Sequence, residues 1–198
     1  MTTEPTFSAV ILAGGRATRM GGADKGLQCF QGQPLFAQIA ARLRPQVAQI
    51  SINANRNQRE YGATGLPVFG DDLPDFQGPM SGILSALERA QTDWVLFVPC
   101  DSPFLPLNLL EKLKRAVLFK KVFAAYAHDG ERDHPTFCLL HKELKDDLAA
   151  YLASGERRML HFMRQQQAAV VDFSEQKDAF INMNTLADLA HYAQDDAR

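Results

Sequence analysis

Phe7-Ser8-Ala9-Val10-Ile11-Leu12-Ala13-Gly14-Gly15-Arg16-Ala17-Thr18-Arg19-Met20-Gly21-Gly22-Ala23-Asp24-Lys25 is the stretch whose reading decides the fold. An apolar, β-branched run passes directly into a glycine-rich loop carrying three cations, Arg16, Arg19 and Lys25. Gly14 and Gly15 have no Cβ to hold a ligand away from the backbone, so main-chain amides can approach an anion closely. A strand leading into such a basic loop is how a fold holds phosphate. The loop contains neither G-x-x-x-x-G-K-[ST] nor G-x-G-x-x-G, which removes the P-loop and the dinucleotide fingerprint.

Outward from this loop, short apolar runs at 7–12, 47–52, 66–69, 94–98 and 122–127 predict strands. Helical spacing at 34–44, 79–90 and 106–118 lies between them, each with a proline near its start. Such alternation predicts an α/β protein with a mostly parallel sheet covered on both faces, and ligands bind beyond the carboxyl ends of its strands. From Asp129 the rhythm changes to a charged loop, a strand at 136–140, a helix at 142–153, a second helix after Gly155, a strand at 168–173 and a terminal helix at 185–193. No Pro/Gly/Ser linker interrupts the chain, so residues 1–198 are expected to form one domain, with a nucleotide-binding half to about residue 127 and an acceptor-binding half beyond it.

The 198 residues are 46% hydrophobic and 22% charged, the composition of a soluble globular domain. A net charge of −2 supplies no global field for nucleic acid or an anionic membrane, so any phosphate site must be local. No basic stretch precedes an apolar one at the N-terminus, and no window approaches the ~18 apolar residues of a membrane span; a cytoplasmic protein is expected. Cys29, Cys100 and Cys138 are far apart and form no C-x-x-C, which argues against a disulfide framework or zinc site. Buried small residues are the expectation for all three, though Cys100 adjoins a site residue and could be partly exposed.

Asp101 stands where the 94–98 strand stops, between Pro99 and Pro103, and could hold a divalent cation against triphosphate oxygens or cap the following helix. Asn53 and Asp71 follow the second and third strands; each could read a guanine edge or hold a ribose, or end its strand as an Asx turn. Gly78-Pro79-Met80-Ser81-Gly82 opens a helix whose N-terminal backbone could meet a nucleobase, or is an ordinary helix start packed closely on the sheet at Gly82. Residues 128–135, His-Asp-Gly-Glu-Arg-Asp-His-Pro, read as a solvated loop or a substrate lid and make a weak metal signal. Arg157 and Arg158 could grip a phosphate bidentately at a helix start, and Asn184 could be the N-cap of the last helix.

The loop pattern L-A-G-G-x-x-x-R-M-G-x-x-D-K, from Leu12 to Lys25, resembles the signature of nucleotidyltransferases. Together with Asn53-Ala54-Asn55-Arg56, Gly78-Pro79, Pro99-Cys100-Asp101, the 128–135 block, Gly155-Glu156-Arg157-Arg158 and Asn182-Met183-Asn184-Thr185, it resembles the molybdenum cofactor guanylyltransferases over nearly the whole chain. That resemblance implies a Rossmann-like, three-layer nucleotidyltransferase fold and transfer of GMP from GTP to molybdenum-molybdopterin with release of pyrophosphate. It implies Mg²⁺ on Asp101 and GTP contacts at Leu12, Ala13, Gly14, Lys25, Asn53, Asp71 and Asp101, beside the backbone contacts expected at Gly15 and Gly78. Arg19, Lys25 and Asp101 would then serve the reacting phosphates, with Arg157, Arg158, Asn182 and Asn184 on the molybdopterin side. Transient contacts with other cofactor-biosynthesis proteins and with acceptor apo-enzymes are expected partners. Related alternatives are CTP in place of GTP, a sugar or polyol phosphate acceptor, or a non-catalytic GTP-binding carrier.

Overall fold

The computed structural model describes residues 4–14, 24–73, 78–185, 187–188 and 191–192. In chain order it contains β1 (Phe7–Leu12), β2 (Cys29–Phe30), β3 (Gln33–Pro34), α1 (Leu35–Leu43), β4 (Ile50–Asn53), α2 (Gln58–Gly62), β5 (Val68–Phe69) and α3 (Pro79–Arg89). Then follow β6 (Trp94–Pro99), α4 (Leu109–Lys120), β7 (Ala124–His128), β8 (Asp133–His141), α5 (Lys145–Ala153), α6 (Met159–Gln165) and β9 (Ala169–Asp172). Seven strands form one sheet in the order β5-β4-β1-β6-β8-β7-β9. All neighbours pair in parallel except β8, which runs antiparallel between β6 and β7.

Alternation along the central strands sends each residue to one of two cores. Ala9, Ile11, Ala13, Trp94, Leu96 and Val98 face α1 and α4, while Val10, Leu12, Val95 and Phe97 face α3, α5 and α6. In α1 the residues Phe36, Ile39, Ala40 and Leu43 recur on one face and seal the first of these cores. The result is a three-layer α/β/α protein. Among the described residues no helix is long and apolar enough to cross a membrane.

Several boundaries differ from the sequence expectation. Proline 34 belongs to β3 rather than to α1, because Gln31 (φ 50°) and Gly32 (φ 80°) close a two-residue hairpin of the primed type between β2 and β3. Helix α4 begins at Leu109, after turns through Pro106. The charged loop is short: β8 starts at Asp133 instead of residue 136, and the Asp129–Arg132 turn is too tight for a parallel return. The five-residue α2 was not expected. Cys100 and Cys138 are buried, but Cys29 is exposed on the two-stranded ribbon, and Cys100 is not partly exposed. Of the terminal helix expected at 185–193, residues 187–188 and 191–192 are helical, and 186, 189, 190 and 193 lie outside the described residues.

Candidate active site

Strands β5, β4, β1 and β6 are mutually parallel, so their carboxyl ends open at one edge of the sheet. The ladder continues past the strands: Ala13 N–H donates to the Asn53 carbonyl (2.8 Å), Ala54 N–H to Phe69 (2.8 Å) and Cys100 N–H to Leu12 (3.1 Å). These bonds hold the bends after the strands rigidly beside each other. They also commit the Ala13 N–H and use the Leu12 carbonyl as an acceptor, so these two residues frame the edge.

A compact polar group occupies the β4 side of that edge. Asn53, 2% exposed, donates from Nδ2 to Asp71 Oδ1 (2.9 Å), while the Asp71 N–H donates to Asn55 Oδ1 (2.7 Å). Gly14 sits against this group: a Cβ there would lie 3.2 Å from both the Asn53 Oδ1 and Asn55 Nδ2 atoms. Gly82 closes it from the other side, where a Cβ would overlap the Asn53 carboxamide oxygen. Asn53 and Asp71 therefore bond to each other rather than ending their strands as local Asx turns. Gly78 is the N-cap of α3 with φ 85°, and the first turn it opens brings Gly82 onto Asn53. The positive end of the helix dipole thus faces the same edge.

The β6 side carries charge. Lys25 follows Asp24 at the start of a 3₁₀ turn, and its Nζ donates to Asp101 Oδ2 (3.1 Å) and Asn184 Oδ1 (2.6 Å). Asp101 is buried and caps no helix, since the next one starts at Leu109 with Asn108 as its N-cap. The chain at 181–184 straps across this corner, with the Met183 N–H donating to the Asp101 carbonyl (2.7 Å) and Ser102 Oγ to Asn182 Oδ1 (2.6 Å). Asn184 is not an N-cap. The Asp188 carboxylate accepts from the Asn184 and Thr185 N–H groups and Thr185 Oγ1 accepts from Asp188 N–H, a reciprocal cap that leaves the Asn184 side chain for Lys25.

Behind Lys25, Asp24 turns its carboxylate inward and accepts a 2.6 Å hydrogen bond from the hydroxyl of Tyr61. Burial, then the neighbouring Cys100 and Asp24, push the Tyr61 hydroxyl pKa far up, so it remains a neutral donor. Burial likewise raises the Cys100 thiol well above its usual range, which makes it a poor nucleophile or ligand. Among the described residues no three His, Cys, Asp or Glu side chains could hold a metal ion together. The Asp101 carboxylate and the Asn184 amide oxygen do converge on one ammonium, offering hard oxygen donors. Such a partial set suits Mg²⁺, which usually takes one or two carboxylates and completes its shell with substrate phosphates and water.

The 128–135 segment is a short turn between β7 and β8, exposed at Gly130, Glu131 and Arg132 and held by its own hydrogen bonds. Asp129 accepts from Glu131 N–H (2.8 Å) and Arg132 N–H (2.7 Å) and pairs with His134 Nε2 (2.6 Å). Burial would raise its carboxyl pKa, but His134 and the two amides outweigh burial and hold it below the carboxylate range. The His134 ring stacks on Phe180 (centroids 4.8 Å apart), at the start of the strap that delivers Asn182 and Asn184. The two arginines are not brought together as a fork. Arg157 donates to the carbonyls of Leu152 (2.7 Å) and Glu156 (2.6 Å), closing the end of α5. Arg158 is exposed, pairs with Glu156 at 3.7 Å and lines an open cavity of about 540 Å³ with His161 and Arg164. Gly15 and Arg19 lie outside the described residues.

Residues 9–170 match the family model described as the MobA-like NTP transferase domain. The chain belongs to this family. It is 65% identical over 184 residues to the molybdenum cofactor guanylyltransferase of Pasteurella multocida, covering 93% of this chain and 97% of that protein. It is 58% identical to the one of Haemophilus influenzae, covering 93% and 96%. The fold is shared with molybdopterin-guanine dinucleotide biosynthesis protein A of Archaeoglobus fulgidus, with a TM-score of 0.79 at 18% identity over 96% of this chain and 98% of that one. It is also shared with 4-diphosphocytidyl-2C-methyl-D-erythritol synthase of Anaerococcus prevotii, with a TM-score of 0.76 at 14% identity over 98% and 97%. Within this family fold, the roles of Asn55, Asp24, Tyr61 and Ser102 escaped the sequence reading. Asp24, beside Lys25 in the loop pattern, and Asn55, in the 53–56 block, stood in quoted motifs; Tyr61 and Ser102 act through partners 37 and 80 positions away.

Proposed function

We propose that this transferase joins GMP from GTP to the terminal phosphate of molybdenum-molybdopterin, forming the guanine dinucleotide cofactor and pyrophosphate. A phosphate oxygen of the acceptor attacks the α-phosphorus of GTP, and the bond from that phosphorus to the bridging oxygen of the β-phosphate breaks. The observation that carries this reading is the shared edge: the hydrogen-bonded Asn53 amide and Asp71 carboxylate beside a Lys25-Asp101-Asn184 corner. The first offers donors and acceptors that a guanine or ribose needs, and the second offers charge control for a triphosphate.

Asn53 and Asp71 orient the nucleoside, with Gly14 and Gly82 keeping the space narrow and Leu12, Ala13 and Gly78 framing it. Gly15, Arg19 and Lys25 receive the phosphates, and Lys25 exchanges Asp101 and Asn184 for phosphate oxygens as GTP enters. Asp101, aided by Asn184, would hold Mg²⁺, which when bound neutralises negative charge on the triphosphate and its leaving group. Asn182, Asn184 and Arg158 lie on the acceptor side, with Arg157 supporting the turn that presents Arg158. A phosphate dianion is already a nucleophile near neutral pH, so no general base is assigned, and positioning and electrostatics supply the catalysis.

Residues 1–198 act as one domain, with the nucleotide half to about 127 and the acceptor half beyond it. The protein works in the cytoplasm, in transient contact with proteins that supply molybdopterin and receive the product. Pyrophosphate release with loaded molybdopterin, compared across the four common nucleoside triphosphates, tests the assignment. GTP is expected to stand alone; equal turnover with CTP, or tight GTP binding without turnover, refutes it.

A further inference from the structure

The turn that carries Lys25 is bonded, through Asp24, to a side chain from an element outside the nucleotide-binding loops. Tyr61 lies on the short helix α2, is completely buried, and packs its ring edge-on against Phe36 of α1 (centroids 4.8 Å apart). Its hydroxyl reaches Asp24 Oδ1 at 2.6 Å, and Asn57 Nδ2 lies 3.5 Å from the other carboxylate oxygen. Aspartate in the N-cap position of a turn ordinarily bonds back to the turn's own amides. Asp24 makes no such bond; its carboxylate is given to Tyr61, while its carbonyl accepts from Leu27 N–H and Gln28 Nε2. Gly26 leaves the space: a Cβ there would lie 2.5 Å from the Tyr61 oxygen and 3.2 Å from Cys100 Cβ. The turn that carries Lys25 is thus pinned from behind by one buried hydroxyl while its ammonium reaches forward to Asp101 and Asn184.

We infer that Tyr61 is a positioning residue for the transfer reaction, locking the Asp24–Leu27 turn through Asp24 so that Lys25 is aimed at the phosphates before GTP arrives. This rests on the function proposed above. Preorganised charge acts on the transition state more than on ground-state binding, so the effect belongs in kcat rather than in the KM for GTP.

The test compares Tyr61→Phe, which keeps the ring and removes the hydroxyl, with Phe36→Leu, which loosens the same packing and keeps it. In GMP transfer, Tyr61→Phe is expected to lower kcat about 10-fold with the KM for GTP within about twofold. Phe36→Leu is expected to lose thermal stability while keeping kcat within about twofold. In parallel, acetylation of the ligand-free protein by an N-hydroxysuccinimide ester, mapped by mass spectrometry, reads the aim of Lys25 without any turnover. Its rate is expected to change several-fold in Tyr61→Phe and not in Phe36→Leu, with Lys114 and Lys142 as internal references. Unchanged Lys25 labelling in Tyr61→Phe, or the same kcat loss in both variants, overturns the inference. A wild-type protein that transfers no GMP, with Lys25 labelling still responding to Tyr61→Phe, refutes the assigned reaction and leaves standing only the hold of Tyr61 on Lys25 through Asp24.

Discussion

Gly82→Ala is the sharpest probe of the nucleoside side of the site. A Cβ at residue 82 would overlap the Asn53 carboxamide oxygen and lie 2.7 Å from its carbon. Asn53 cannot swing clear, because it is 2% exposed, is bonded to Asp71 and has Gly14 on its other side. The methyl must therefore break the Asn53-Asp71 bond, and a hydrogen bond to a charged group is worth about 1.5–3 kcal/mol. At about 1.4 kcal/mol per tenfold change, GTP affinity should fall roughly 10- to 150-fold if that bond orients the nucleoside. Alanine is about 1 kcal/mol better than glycine within a helix, so the net loss of stability is only about 0.5–2 kcal/mol. The expected signature is a large binding defect in a folded protein, read by titration calorimetry with GTP beside urea unfolding. Gly62→Ala is the control, since its Cβ would meet only Val68 Cγ2 at 3.9 Å and should leave GTP binding unchanged. GTP affinity within twofold of wild type in Gly82→Ala would refute the reasoning.

Lys25→Ala should lower kcat by at least about 100-fold, the scale for removing one preorganised charge from a transition state, while circular dichroism shows an intact fold. Asp101→Asn should raise the Mg²⁺ concentration needed for half-maximal pyrophosphate release by about 10-fold or more; an unshifted Mg²⁺ curve takes Asp101 out of the metal site. At the far edge of the sheet, the Thr6 backbone N–H, then Lys142 and the Thr6 hydroxyl, lower the Asp93 carboxyl from 3.8 to about 2. A depressed carboxylate pKa stabilises the fold above the unfolded value and loses that contribution as pH falls through the folded one. Acid unfolding followed between pH 4 and pH 2 should therefore be shallower in Asp93→Asn than in the wild type.

Much of the architecture was legible because its signals are local. The run at 7–12 is apolar on both alternating faces, as a strand with helices on each side requires, and the 3.6-residue period of α1 and α3 is plain. The boundaries that shifted were set by tight turns whose partner strands the apolar pattern does not name. The Gln31-Gly32 hairpin claimed Pro34 from α1, and the reversal at Asp129–Arg132 made β8 antiparallel. In the site, residue type and position after a strand marked Asn53, Asp71, Lys25 and Asp101. Those clues do not say which side chains meet: the Asx-turn alternative was closed by the bond between Asn53 and Asp71 on separate segments, while the arginine fork and the Asn184 cap were decided by partners within five positions.

The sequence alone determined the α/β class, the phosphate-seeking character of the 12–25 loop and the family resemblance, because glycine placement, charge and periodicity are written within a few turns of chain. Tertiary structure alone decided that Asp24 answers to Tyr61, that Lys25 spans Asp101 and Asn184, and that Asn53 is bonded to Asp71. Those pairings join residues as far as 159 positions apart. They arise from parallel strands ending at one edge, a geometry that exists only once the sheet has formed.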